Sequence, residues 1–182
     1  MTSKTQQQRS TQLSYLLRHK PESANLTLDS QGWCTVLSIL TNTDFTLAEI
    51  KKIVADDSKD RYSFSDETMT SIRANQGHSV PTVKITFKNV VPPVQLFHGT
   101  DTKSVGAILK SGLLPMKRHH VHLSNDLNTA RAVGQRRKGG VTIFSVDAKQ
   151  MLADGISFFI SDNGVFLVDE VHPKYLSIQE QL

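Results

Sequence analysis

Thr46-Leu47-Ala48-Glu49-Ile50-Lys51-Lys52-Ile53-Val54 opens on a threonine with a glutamate three places on. At that separation the hydroxyl and the carboxylate each accept the other residue's backbone N–H at a helix start. Leu47, Ile50, Ile53 and Val54 fall on one face, so the stretch predicts a helix with a buried stripe. Working back, Val36, Leu37, Ile39 and Leu40 give a second helical face. Leu13, Leu16 and Leu17 give a first, over 11–19, with Thr11 as its cap and Pro21 as its stop. Leu26 to Asp29 reads as extended and Ser30-Gln31-Gly32 as a turn. Working forward, Arg61 to Ser65 and Ser71 to Asn75 read as two extended segments separated by polar turn residues.

Three helices followed by a hairpin is the order of a winged helix, a helix-turn-helix variant often found on nucleic acids. Val90-Val91-Pro92-Pro93 then marks a boundary, because paired prolines favour an extended connector poor in hydrogen bonds. It divides the chain into lobes 1–90 and 91–182, with a cleft expected between them. Beyond it the pattern turns strand-rich. Gln95 to Gly99, Val121 to Ser124, Val141 to Val146, Ile156 to Ile160, Val165 to Val168 and Tyr175 to Ile178 read as strands. Thr102 to Ser111, Asn128 to Gln135 and Ala148 to Ala153 read as helices, so the fold class is α+β.

The 182 residues suffice for one good core or two small lobes. No apolar run approaches the length needed to span a bilayer, and the polar stretch Thr2 to Gln12 lacks a signal peptide's apolar segment. Cys34 is the one cysteine, which excludes an internal disulfide and a thiolate zinc knuckle. A reducing, cytoplasmic setting and a monomer are expected. The formal charge of +4 divides evenly, eleven basic against nine acidic groups up to Val91 and ten against eight beyond it. Locally it is uneven. Lys117, Arg118, Arg131, Arg136, Arg137 and Lys138 face one acid, Asp126, with His119, His120 and His122 in the same stretch. That is either a solvated basic face or a site for a polyanion.

Arg18-His19 sits at a helix C-terminus, where cations complement the dipole. The same pair also suits a phosphate dianion, which arginine grips with its fork. Ile72 is expected buried with Arg73 on the opposite face, followed by the polar run Gln76-Gly77-His78-Ser79. Leu96-Phe97-His98-Gly99-Thr100 delivers a histidine to a strand end. There Gly99 would let a ligand approach and Thr100 would cap the next helix, whose start favours an anion. His122-Leu123-Ser124 repeats the arrangement. Arg136 is the member of the Arg136-Arg137-Lys138 cluster expected to point into a site, and Asn163-Gly164 is a hairpin signal. Paired carboxylates, a Ser/His/Asp order and a Rossmann glycine fingerprint do not stand out, and the histidine cluster lacks acidic or thiol partners for a metal.

In their order and spacing these motifs resemble the KptA-type RNA 2′-phosphotransferases, from Leu13 to Leu176. The likeness rests on Leu-Leu-Arg-His-Lys-Pro (16–21), Gly32-Trp33, Ile-Arg-Ala-Asn-Gln-Gly-His-Ser (72–79) and Phe-His-Gly-Thr (97–100). It continues through Arg118 to Ser124, Val-Gly-Gln-Arg (133–136) and Asn-Gly-Val (163–165). The resemblance implies a winged-helix N-terminal lobe and an ADP-ribosyltransferase-like C-terminal lobe with an NAD cleft. It implies NAD as co-substrate, no metal, and a tRNA-like RNA with an internal 2′-phosphate, as arises in tRNA splicing. The RNA 2′-phosphate would attack C1″ of NAD and expel nicotinamide, leaving an ADP-ribosylated RNA. The ribose 2″-hydroxyl would then attack phosphorus, releasing 2′-hydroxyl RNA and ADP-ribose 1″,2″-cyclic phosphate.

The family's catalytic set falls on Arg18, His19, Arg73 and Arg136. NAD would be seated by His98, Gly99, Thr100, Arg118, His122 and Ser124, and RNA by Gln76, His78 and Asn163. Many ADP-ribosyltransferases carry a glutamate where this chain has Val165, and Glu170 is expected to be a surface charge. Arg137-Lys138 departs from the family's usual His-Gly, and Phe166 from its usual tryptophan. An ADP-ribosyltransferase that stops at a nucleic-acid phosphate adduct is the alternative enzyme. A non-enzymatic winged-helix binder would leave the histidine-bearing second half without a purpose.

Overall fold

The computed structural model describes residues 5–135 and 140–181. The chain forms two compact α+β units, the first ending at Thr86 and the second beginning at Phe87. In the first, helix α1 (Gln6–Arg18) packs against α3 (Leu47–Ala55) and strand β3 (Ser71–Ala74). The start of α1 lies upstream of the expected Thr11. Thr5 caps it in a reciprocal box with Gln8, and the polar Gln6-Gln7-Gln8 turn is helical because that cap satisfies its leading N–H groups. Thr11 instead donates its hydroxyl to the Gln7 carbonyl. Pro21 ends the helix as expected and begins a short 3₁₀ turn, Pro21–Ala24.

Thr46 and Glu49 form the expected capping box on α3, a feature that contributes about 1 kcal/mol to a helix. Ile50 and Ile53 are its buried stripe, while Leu47 at the first turn stays exposed. Strand β1 (Cys34–Thr35) leads directly into α2 (Val36–Asn42), with Thr35 as cap. It pairs antiparallel with β3, which pairs on its other side with β2 (Tyr62–Phe64). Leu13, Leu17, Ile39, Ile50 and Ile72 are fully buried at the centre of this unit. Arg9 of α1 is held at its edge by Asp44 and Glu49, with its guanidinium 3.8 Å from the Phe45 ring centre.

The second unit contains two antiparallel sheets. One runs β10 (Leu176–Gln181), β7 (Val141–Asp147), β5 (Gln95–Asp101). The other runs β4 (Lys88–Val90), β8 (Phe158–Ile160), β9 (Phe166–Val168), β6 (Val121–Leu123). A reciprocal backbone pair joins them, Phe97 with Ser124, at 2.8 Å in each direction. Helices α4 (Val105–Ser111), α5 (Leu127–Gly134) and α6 (Ala148–Ala153) complete the unit. Six of the seven residues of β7 are buried, because strands flank it on both edges and α5 packs on it. Gly164 adopts φ +76° in the expected Asn163-Gly164 turn between β8 and β9. Among the described residues, no helix is long and apolar enough to cross a membrane.

Candidate active site

In the first unit the sequence motifs converge on the C-terminal end of α1. Arg18 is the last residue of that helix and is buried, and His19 is its C-cap. Ser79 reaches both. Its backbone N–H donates to the Arg18 carbonyl at 2.9 Å, and its Oγ lies 2.9 Å from His19 Nδ1. The Gln76-Gly77-His78-Ser79 run is therefore fastened to the helix end, with His78 buried and Gln76 half-buried. Gly32, at φ +80°, borders the same run. A Cβ on Gly32 would stand 2.9 Å from His78 Nε2, so only glycine leaves room for that imidazole without displacement.

Arg73 lies on β3 between buried Ile72 and buried Ala74, on the opposite strand face, as the alternation predicted. Its guanidinium carbon is 4.6 Å from the Trp33 ring centre, and its Nη1 is 3.4 Å from the Gln31 carbonyl. The turn that carries these partners is itself tied down. The Asp29 carboxylate accepts the N–H groups of Gln31 and Trp33, and the Gln31 amide bonds to the backbone of Lys84 and Thr86. Arg18, His19, Arg73 and His78 are thus connected through one set of loops in one unit. Two arginines and two imidazoles in one unit offer donors of the kind that suit a phosphate oxyanion.

In the second unit His98 sits on β5 with Nδ1 3.1 Å from the carbonyl of His122 on β6. Burial lowers its pKa below the ordinary imidazole value, the His122 hydrogen bond opposes that shift, and Arg118 adds to it. Burial thus favours the neutral form of the His98 imidazole. Arg118 Nη1 is 3.3 Å from His122 Nδ1, and Ser124 is paired with Phe97 through the backbone. The structure therefore gathers His98, Arg118, His122 and Ser124 where β5 meets β6. His120 lies half-buried beside them in sequence, edge-on to Phe87 at 5.7 Å between ring centres.

Two local expectations change. A Cβ on Gly99 would stand 1.8 Å from the Ala130 carbonyl oxygen, so α5 occupies the space next to that backbone. Asp101, not Thr100, caps the following turn, its carboxylate accepting the Lys103 N–H at 2.9 Å. A carboxylate at that position makes this helix start a poor anion seat. Thr100 instead pairs with Thr142 in the β5–β7 ladder. Asn163 accepts from the Ser161 hydroxyl at 2.8 Å in the β8–β9 turn of the second unit. Glu170 is exposed, as expected of a surface charge. Arg136 lies outside the described residues, as do Arg137 and Lys138. Among the described residues, no group of three or more His, Cys, Asp or Glu side chains is placed to hold a metal ion.

The model of the family described as RNA 2′-phosphotransferase, Tpt1 / KptA family, matches residues 4–170. The chain belongs to this RNA 2′-phosphotransferase family. It is 53% identical over 169 residues to a protein of Trichormus variabilis named probable RNA 2′-phosphotransferase, covering 90% of this chain and 91% of that one. Proteins of the same name from Rhizobium leguminosarum bv. trifolii and Burkholderia pseudomallei are 46% and 47% identical. Those alignments cover 91% and 90% of this chain, and 90% of each relative. The family is one of transferases, and the motifs from Leu16 to Val165 all fall inside the matched region. Sequence reasoning missed Gln31, Trp33 and Ser79 as partners of the expected arginines and histidine. Gly32-Trp33 was visible as a motif, but its contact with Arg73 crosses from one strand approach to another and leaves no local signal.

Proposed function

We propose that this chain is an NAD-dependent RNA 2′-phosphotransferase acting on an internal 2′-phosphate of a tRNA-like RNA. The observation that carries the reading is the double attachment of Ser79, which brings the 72–79 motif onto the Arg18-His19 helix end. With Arg73 seated on Gln31 and Trp33 in the same unit, the residues of the expected phosphate clamp share one framework. Three helices and a short antiparallel sheet in this unit support a winged-helix reading, and the strand-rich second unit supports an ADP-ribosyltransferase-like one.

A phosphate dianion is already nucleophilic, so attack on C1″ of NAD needs no general base. Catalysis then rests on orientation and charge stabilisation, work for which arginines suit. Arg18, His19 and Arg73 hold the phosphate, and Gln76 and His78 contact the RNA. Arg136 supports charge in the second step, in which the 2″-hydroxyl forms a bond to phosphorus as the bond to the RNA 2′-oxygen breaks. Net, the hydroxyl proton ends on the RNA oxygen, and His19 is the group that delivers a proton there. His98, Arg118, His122 and Ser124, gathered where β5 meets β6, seat NAD, while Gly99 and Thr100 shape the strand that carries His98. The residues present fit that dinucleotide, since a buried His98 offers directional hydrogen bonding and Arg118, whose guanidinium donates to His122 Nδ1, supplies positive charge for a pyrophosphate. No metal is required, and the protein acts as a cytoplasmic monomer in tRNA processing.

The test is to incubate the protein with NAD and an RNA carrying an internal labelled 2′-phosphate. Release of ADP-ribose 1″,2″-cyclic phosphate is the expected result. A persistent labelled RNA adduct would indicate an ADP-ribosyltransferase acting on nucleic-acid phosphates, and no NAD consumption would overturn both. Arg136→Ala is expected to accumulate the adduct; loss of activity with no adduct would assign Arg136 to the first step.

A further inference from the structure

We propose that Ser79 is a positioning residue that fixes the orientation and tautomer of the His19 imidazole, an inference that rests on the phosphotransferase reading. Three observations meet at this residue. His19 follows the last turn of α1, where its own N–H closes on the Tyr15 carbonyl at 2.9 Å, so its backbone is fixed by the helix. Its Nδ1 lies 2.9 Å from Ser79 Oγ, which fixes the ring about its remaining torsions. Ser79 in turn is not held by its hydroxyl alone. Its N–H donates to the Arg18 carbonyl, so the serine that orients His19 is anchored on the residue beside it.

The consequence is chemical. Which nitrogen of a histidine carries the proton is set by the hydrogen bond that the other nitrogen makes. With Nδ1 turned to Ser79, a proton exchanged with substrate passes through Nε2. When His19 is neutral, a Ser79 hydroxyl donating to Nδ1 places the proton on Nε2, the form able to donate to a departing oxygen. When His19 is charged, the same hydroxyl accepts from Nδ1 without moving. Partners of this kind, one shell behind a reacting imidazole, affect rate more than ligand affinity when they act on a proton transfer. Ser79 therefore belongs to the turnover of the bound phosphate and not to its capture.

The experiment compares the full chain with Ser79→Ala and Ser79→Thr, measuring kcat and KM on 2′-phosphorylated RNA and NAD, with ¹⁵N spectra of the histidine rings. Ser79→Ala keeps the backbone N–H to Arg18 and loses only the hydroxyl. It is expected to lower kcat about 10- to 100-fold, by analogy with the orienting partners of metal-bound histidines, while KM changes less than about three-fold. Ser79→Thr restores the hydroxyl and is expected to recover most of kcat. In the spectra, Ser79→Ala is expected to shift the His19 Nδ1 and Nε2 signals toward a mixed tautomer population. Unchanged kcat in Ser79→Ala, or a loss that Ser79→Thr does not recover, overturns the proposal. So do His19 signals identical in all three proteins. If Ser79→Ala fails to fold, Ser79→Thr against Ser79→Cys, which offers only a weak donor, gives the same comparison. A wild-type chain inert toward this RNA and NAD would overturn the functional reading instead, while the spectra would still decide whether Ser79 sets the His19 tautomer.

Discussion

The two units place their functional candidates by different means. In the first, the site is made by side chains reaching between loops: Ser79 to His19, Arg73 to the Gln31 carbonyl and the Trp33 ring, Asp29 to the turn that carries both. In the second, backbone pairing does most of the placing, with the Arg118–His122 contact as a side-chain addition. His98 and Ser124 take their positions from strand pairing, and Gly99 lies against the Ala130 carbonyl where α5 comes down on β5. Side-chain networks allow chemistry to be altered without loss of the fold, whereas a backbone-built site is inseparable from stability.

That contrast makes unequal predictions. The largest effect is expected of His19→Ala, which removes a half-buried side chain at the rim of the first core. It should lower turnover about 10²- to 10⁴-fold with little change in the unfolding midpoint, checked by kinetics beside urea denaturation. Parallel losses of activity and stability would erase the distinction between the units. Next is Gly99→Ala, whose new methyl group would meet the Ala130 carbonyl oxygen at 1.8 Å. It should cost about 1–3 kcal/mol of unfolding free energy or more, since backbone must move to admit it. A variant as stable as wild type would show that α5 is loosely docked.

Arg73→Lys keeps the charge but gives up the fork and the stack on Trp33, and should lower turnover roughly 10-fold without unfolding the chain. The smallest effect lies away from both sites. The Tyr175 hydroxyl, then Lys174 and Gln150, hold the Asp154 carboxylate down to about 2 from its ordinary 3.8. A carboxyl group lowered by folding stabilises the protein above its unfolded value and loses that contribution as pH falls through the folded one. Wild-type stability should therefore decline between pH 3.8 and about 2 in a way that Asp154→Asn does not. Superimposable acid profiles would show that this exposed network contributes nothing measurable.

Much of this arrangement was legible in the sequence because the signals are local. The Thr46–Glu49 box, the Asn163-Gly164 turn and the alternation that turns Arg73 away from Ile72 each depend on residues a few places apart. The start of α1 was missed because Gln6-Gln7-Gln8 carries no apolar stripe, although Thr5 and Gln8 do have capping-box spacing. Strand β1 was missed for brevity, since two residues show no alternation, and β4 because its Val90 was read as the start of the proline connector. Gly99 and Ser79 needed the tertiary structure, since their partners lie about 30 and 60 positions away and no local pattern points to them. The motif resemblance carried the site further than periodicity could. It brought Arg18 and His19 together with the 72–79 run, and the structure supplied the bond that joins them.

The proposed function turns on one contact, that of Arg18, His19 and Arg73 with the 2′-phosphate of RNA. It is tested most directly by titrating the protein with two oligonucleotides identical but for that phosphate, without NAD, at fixed salt. The account predicts that the 2′-phosphorylated RNA binds at least about 10-fold more tightly, from one or more charge-assisted hydrogen bonds, and that Arg18→Ala or Arg73→Ala removes most of the difference. Equal affinity for the two RNAs in the wild-type protein would contradict it.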